Sequence, residues 1–291
     1  MSSERKVAIV TDSGSSMRPE YDRVKELGVT IIPLDVIFNE EGKHFSYPDL
    51  DITPGEFYRR MKSNETLPTT SGAIKGRCIE AYKLLSQKTK EIISIHITAK
   101  HSVACETALA GANTFNKEVN NEVSINVIDS RQLSLGTWFA AEHAAIVSQQ
   151  GANLNQISQE VLAMLPKINL LFVLETFNNL RKGGRAEDVV KAYFASKLHI
   201  FPVMGMKEGK MVRLEYNRSA RRSRERMLEM VGDSGRLARL AILHTNAPDL
   251  ANELRNALYK IYPEEIPDYD TGPALAVHAG VGAGGVAFVT V

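Results

Sequence analysis

Thr69-Thr70-Ser71 places three hydroxyl side chains between Pro68 and Gly72. An apolar pattern at helical spacing follows (Ile79, Tyr82, Leu84, Leu85), so the triplet is expected at or just before a helix N-terminus. Such an end carries unpaired N–H groups and the positive end of the dipole; its hydroxyls either cap the helix or hold an anion. Lys182-Gly183-Gly184-Arg185 is a second anion candidate. Two glycines and two cations before a helix read as an anion nest or a solvated loop, and arginine is the better carboxylate ligand because its planar fork binds both oxygens. His278 stands two residues before Gly280-Val281-Gly282-Ala283-Gly284-Gly285. This run fits GxGxxG, but the dinucleotide fingerprint needs a helix and an acidic residue downstream, and Val286–Val291 reads as a strand. The glycines instead allow close backbone approach, and a lone histidine at a strand end is as readily structural. Arg218, Arg221, Arg222, Arg224 and Arg226 form a basic stretch that reads as a solvated helix face, a docking surface for an acidic partner, or a nucleic-acid contact lacking the usual aromatic pattern.

Other chemistry is missing from the pattern. There is no GxSxG elbow, no GxxxxGK[ST] loop and no HExxH, and the seven histidines show no metal-ligand spacing. No catalytic residue and no metal are therefore expected. Cys78 and Cys105 form no CxxC, so neither a disulfide framework nor a zinc knuckle is indicated. Met1–Lys6 leads straight into a strand pattern without a signal-peptide core, and no apolar run reaches about 18 residues. These features point to a cytoplasmic protein without a transmembrane segment. A net charge of +1 gives no global field for nucleic acid or an anionic membrane.

The elements that must position these residues alternate. Apolar strand runs at Val7–Val10, Val29–Pro33, Asp35–Phe38, Ile92–Ile97 and Ile125–Ile128 are interleaved with helices over Pro19–Leu27, Pro54–Lys62, the stretch after Gly76 to about Lys90, Val103–Lys117, Leu135–Gln149 and Leu154–Leu165. A turn is expected at Asn39-Glu40-Glu41-Gly42. Strand, polar loop and helix in rotation argue for a parallel sheet with helices on both faces. Ligands then sit beyond the carboxyl ends of the strands, here Thr11–Ser16, Thr98–Ser102 and Asp129–Ser130. Pro166 breaks the rotation. Strands at Leu170–Leu174, Ile200–Met206, Val212–Tyr216 and Leu237–Leu243 follow, with helices near Glu187–Leu198, Arg221–Met230 and Leu250–Tyr262, a hairpin turn at Glu208-Gly209-Lys210, and two closing glycine-rich β segments. The expected architecture is an α/β protein of two domains: a three-layer α/β/α domain over 1–166 and an α+β domain with a mixed sheet over 167–291, with the ligand between them.

Taken in order, Val10-Thr11-Asp12-Ser13, Thr69-Thr70-Ser71, Val127-Ile128-Asp129-Ser130, Leu180-Arg181-Lys182-Gly183-Gly184-Arg185 and His278-Ala279-Gly280-Val281-Gly282-Ala283 make the chain similar, over nearly its whole length, to the DegV family. That resemblance implies a cytoplasmic bacterial protein that binds one long-chain fatty acid and presents its carboxylate to a separate fatty acid kinase subunit, which makes the acyl-phosphate for phospholipid metabolism. It implies carboxylate contacts at Thr70, Ser71, Ser102, Arg185, His278 and Gly280. It implies no cofactor beyond the bound fatty acid, no nucleic-acid partner and no more than transient membrane contact. Partner docking falls on Arg221, Arg222, Arg224 and Arg226. The family's SGT stands here as Ser102-Val103-Ala104, and its GPG as Gly280-Val281-Gly282. Beside this reading stand a stand-alone enzyme acting on a small carboxylate or lipid, and a basic nucleic-acid adaptor.

Overall fold

The computed structural model describes residues 7–40, 42–63, 66–72, 74–195 and 200–291. In chain order the elements are β1 (Val7–Asp12), α1 (Asp22–Leu27), β2 (Thr30–Ile32), β3 (Asp35–Glu40), β4 (Lys43–Pro48), α2 (Pro54–Ser63), β5 (Thr69–Ser71), α3 (Lys75–Ser86), β6 (Glu91–His96), α4 (Ala104–Glu118), β7 (Ser124–Asp129), α5 (Leu135–Gln149) and α6 (Leu154–Met164). They continue with β8 (Ile168–Val173), α7 (Asn178–Lys182), α8 (Glu187–Ala195), β9 (Phe201–Lys207), β10 (Lys210–Asn217), α9 (Ala220–Asp233), β11 (Leu237–His244), α10 (Pro248–Leu258), β12 (Asp268–Asp270), α11 (Pro273–Ala279) and β13 (Gly284–Thr290). The opening residues Met1–Lys6, Glu41 of the expected turn, and 196–198 of the expected helix lie outside the described residues.

The apolar runs of β1 and β6 are buried along nearly their whole length, as strands covered on both faces must be. They form the centre of a four-stranded parallel sheet, ordered β2-β1-β6-β7. A second, six-stranded sheet is ordered β10-β9-β8-β13-β11-β12 and is antiparallel except at its β11–β12 edge. Within the hairpin β9–β10, Glu208 and Gly209 both have positive φ, which matches the right-handed twist of the flanking strands. The fold is mixed α/β, with a parallel sheet and a separate mixed sheet.

Helix α5 joins the two. It packs against β1 and β6 on one side and β8 and β13 on the other. Its repeated small residues, Gly136, Ala140, Ala141, Ala144 and Ala145, are buried and let both sheets approach its axis. Glu142, nearly sealed, accepts from Arg23 Nε at 2.6 Å and pairs with Arg239 Nη2 at 2.5 Å, tying α1 to β11 through α5. The main apolar cluster accordingly runs through both halves, from Val7 to Val289.

Two local expectations are overturned, and one strand is added. Thr69–Ser71 does not cap a helix; it forms β5 on the edge of a third, antiparallel sheet ordered β4-β3-β5. Threonine suits extended backbone, and β3 offers the triplet an open edge, with Thr70 opposite Val36. Helix α3 begins later, after Ile74, with no side-chain cap. In addition, β4 is not read from the sequence: Phe45 and Tyr47 alternate with polar neighbours, but the strand is short and its first four residues are exposed. Second, the first of the two expected closing β segments is α11, and His278 lies in a helix's last turn rather than at a strand end. Pro273 supplies the first helical position, and Ala274, Ala276 and Val277 form the buried side.

Candidate functional site

A cavity of about 1000 Å³, counting its opening to solvent, lies between the two large sheets and is lined from both halves of the chain. Its walls are mostly apolar: Leu34, Ile97 and Leu133 on one side, Leu170, Phe172, Leu174 and Leu243 on the other. Polar groups gather at one end, where Thr70, Ser71, His101, Ser102, Arg185 and His278 reach the lining.

Each arrives on a different element. Thr70 and Ser71 come from β5, and Thr70 Oγ1 shares a hydrogen bond with His278 Nε2 at 2.8 Å. Ser102 sits in the loop between β6 and α4; its Oγ accepts from Ala104 N at 3.1 Å, which leaves its proton free for a ligand. Arg185 lies past the end of α7 and donates from Nη1 to Gly183 O at 3.1 Å. Among the described residues, no carboxylate is within ion-pairing distance of its guanidinium. Lys182-Gly183-Gly184-Arg185 links two helices: Gly183 is the C-cap of α7, Gly184 turns with φ of 63°, and α8 opens two residues after Arg185, as the sequence leads one to expect.

Gly183 has a second duty. A Cβ there would stand 2.3 Å from His278 Nδ1, so only glycine lets the histidine ring pack on this backbone. Burial first, then the charge of Arg185 and the neighbouring His101, hold His278 down to about 4. The ring is neutral at pH 7, with Nδ1 buried and unpartnered. His101 is also lowered, by burial and then by Arg185. Its Nε2 accepts from Met211 N at 2.9 Å, so its own proton sits on Nδ1. Thr98 Oγ1 donates to Gly209 O at 2.8 Å, and together these two bonds latch the β9–β10 hairpin onto the loop that carries Ser102. Two neutral imidazoles and one guanidinium leave this end with a single positive charge.

Of the sequence-derived site residues, Thr70, Ser71, Ser102, Arg185 and His278 share this cavity end, while Gly280 lies outside the lining, packed against Asn179 and Thr176. The Thr11–Ser16 loop, expected to face a ligand, does not reach the cavity lining: Asp12 accepts from Gly14 N, Ile97 N and the His96 ring, Ser13 Oγ accepts from Leu34 N, and Thr11 Oγ1 and Ser15 Oγ are buried without a partner. The arginines of α9 lie outside the cavity lining and are ion-paired, Arg221 and Arg222 sharing one carboxylate. Arg221 and Arg222 pair with Glu225, Arg224 with Glu175, and Arg226 with Glu215 and Glu229. His101, which sequence reasoning passed over, adjoins Ser102; its role becomes visible only when Met211 is brought beside it by the fold. Among the described residues no cluster of three His, Cys, Asp or Glu side chains could hold a metal, and no helix is long and apolar enough to cross a membrane.

The profile of the DegV family of uncharacterised proteins matches residues 6–291. The chain belongs to the DegV family. A DegV domain-containing protein of Halalkalibacterium halodurans is 30% identical over 97% of this chain and 98% of its own. Among solved structures, Bacillus subtilis DegV, described as a fatty acid binding protein, superposes with a TM-score of 0.87 at 25% identity, covering 99% of this chain and all of that one. A stearic acid-binding protein of Eubacterium ventriosum shares the fold at a TM-score of 0.85 and 20% identity, covering 98% and 97%. The DegV fold thus accounts for the whole described chain.

Proposed function

We propose that this DegV protein binds one long-chain fatty acid in the cavity between its sheets and holds the carboxylate at the polar end. The observation that carries this reading is Arg185, a guanidinium without an acidic partner, set beside Ser102 and the hydrogen-bonded pair Thr70–His278, in which a proton on His278 Nε2 frees the Thr70 proton for the ligand, in a mostly apolar cavity. One cation and several hydrogen-bond donors match one carboxylate, and the apolar walls match an acyl chain. Burying about fourteen methylenes supplies on the order of 10 kcal/mol before costs, enough to retain the ligand through purification. Fatty acid binding by relatives of the same fold supports the same assignment. We place the boundary of the two halves at 166/167, between the last helix before β8 and the strands of the mixed sheet.

The polar end is also the solvent end: Ser71 is exposed, and Val103, which lines the cavity beside Ser102, is 53% exposed. A carboxylate held there is within reach of another protein. On this basis the bound acid is presented to a separate kinase for acyl-phosphate formation, without chemistry by this chain, in a cytoplasmic setting. Arg221 and Arg222, exposed over most of their side chains, remain the steering surface to test.

Mass spectrometry of solvent extracts from purified protein tests the first step; one equivalent of a long-chain acid is expected. An extract without stoichiometric lipid, together with no binding of added palmitate or oleate, would overturn the reading.

A further inference from the structure

The lining carries a second group of polar side chains, away from Arg185. Ser134, His244, Thr245 and Thr271 make it up, next to Ala283. Ser134 Oγ is bonded to Ser16 Oγ at 2.7 Å, and His244 Nδ1 accepts from Ala247 N at 3.3 Å. The two threonines are different. Thr245, fully buried, accepts from Ala283 N at 2.9 Å, and among the described residues its own proton has no acceptor. Thr271 is 5% exposed, and its Oγ1 closes no hydrogen bond. Tyr58 stands near it; its hydroxyl donates to both oxygens of Asp270 at 3.0 Å, and its oxygen is the nearest acceptor for the Thr271 proton, without closing a hydrogen bond of good geometry. The backbone of Thr271 is pinned to His244 O at 2.9 Å, which holds this end of the wall in place. Buried hydroxyls without partners are uncommon in folded proteins, and valine would fill the same space without the penalty.

Helix α11 measures the separation of the two polar groups. Thr271 precedes its first turn and His278 lies in its last, seven residues on, which is about 10 Å at the rise of an α-helix. The wall between them is apolar, formed by Ala274, Leu275, Leu174 and Leu243. An extended chain advances roughly 1.2 Å per bond, judged from the span of an extended peptide residue, so about eight bonds separate a carboxylate at His278 from the threonines.

We infer that the cavity selects a monohydroxylated long-chain fatty acid whose hydroxyl lies about eight to ten carbons from the carboxylate, where it accepts from Thr245 and exchanges a hydrogen bond with Thr271. This rests on the fatty-acid reading above and extends it to ligand class. The test compares binding of stearic, 2-hydroxystearic and 10-hydroxystearic acid to the full chain by calorimetry after delipidation. The 10-hydroxy acid is expected to bind about five-fold more tightly than stearic acid, the order of one neutral hydrogen bond, and the 2-hydroxy acid to gain nothing. The double variant Thr245→Val/Thr271→Val should reverse the preference while still binding stearic acid, which also shows that it folds. Equal affinity of the wild type for stearic and 10-hydroxystearic acid, unchanged in the double variant, overturns this inference and leaves fatty acid binding standing. Failure of the wild type to bind any of the three acids overturns both.

Discussion

At the scale of single residues, the polar end of the cavity divides its work between charge and neutral donors. Arg185 supplies the charge. In Arg185→Gln, palmitate affinity should fall by about 2–3 kcal/mol, the range for a hydrogen bond to a charged group, while the acyl chain keeps binding measurable. Thr70→Ala and Ser102→Ala should each cost about 1–3 kcal/mol by leaving a carboxylate oxygen short of a donor. Titration calorimetry on the three variants checks this, and an Arg185→Gln protein with wild-type affinity would remove the arginine from the site. His278 is the pH-sensitive member. Its ordinary value of 6.5 falls to about 4 in the folded chain, so the unfolded state takes up the proton first as pH drops. The stability this neutral ring contributes is whole above pH 6.5 and is lost progressively as pH falls towards 4, about 3 kcal/mol in all. Urea unfolding at pH 7 and pH 4 should show a smaller loss in His278→Gln than in the wild type. A bound carboxylate places negative charge beside the ring and should raise its titration, which the imidazole C–H resonances in an NMR pH series would report with and without palmitate.

Elements, rather than residues, decide how much of this was readable beforehand. The alternating strands and helices before Pro166 were legible because β1, β6 and most of α5 are buried, and such burial leaves largely apolar runs. Strand β4 was not, being exposed, and α11 was not, because seven residues starting at a proline and stopped by Gly280 look like turn chemistry. For the site, Thr70, Ser102, Arg185 and His278 were reachable through motif order. Ser71 was reachable too, although as part of a strand rather than a cap. His101, Thr245 and Thr271 carry no motif, and what they do depends on Met211, Ala283 and the cavity that tertiary packing brings to them. The C-cap of α7 offers the sharpest element-scale test. Gly183→Ala keeps an allowed backbone, since φ there is −77°, but drives a methyl into the His278 ring. We expect a loss of about 1–3 kcal/mol of stability, the usual cost of overpacking, together with weaker palmitate binding as the Thr70–His278 bond is displaced. Unchanged melting and binding in this variant would show that the ring has room to move.

The molecule as a whole behaves as one body because its core does not respect the two sheets. The principal cluster includes Ile9 and Ile93 of the first sheet and Phe172 and Ala287 of the second. Glu142 is the polar counterpart of that continuity, held from one half by Arg23 and from the other by Arg239. Replacing it, as in Glu142→Gln, removes both ion pairs from a buried position. The expected cost is about 2 kcal/mol, below that of a fully buried pair because each arginine remains partly in reach of solvent. Thermal unfolding should shift to lower temperature and remain a single transition. Two separated transitions in the variant would mean that Glu142, and not the shared apolar core, couples the halves.

Helix α11 has a further consequence, for the time at which the cavity comes into being. It follows the mixed sheet's strand β12 in the chain, yet Ala276 and Val277 complete an apolar cluster with Val36, Phe38, Ile52 and Phe57 from near the other terminus. A chain synthesised from its N-terminus folds its early segments first. Phe38 and Phe57 must therefore wait, partly uncovered, through the synthesis of more than half the protein. The same helix carries His278, so the wall that closes over the acyl chain and the histidine that meets its carboxylate arrive together. A nascent chain cut short before Pro273 would expose those aromatic rings and hold no ligand.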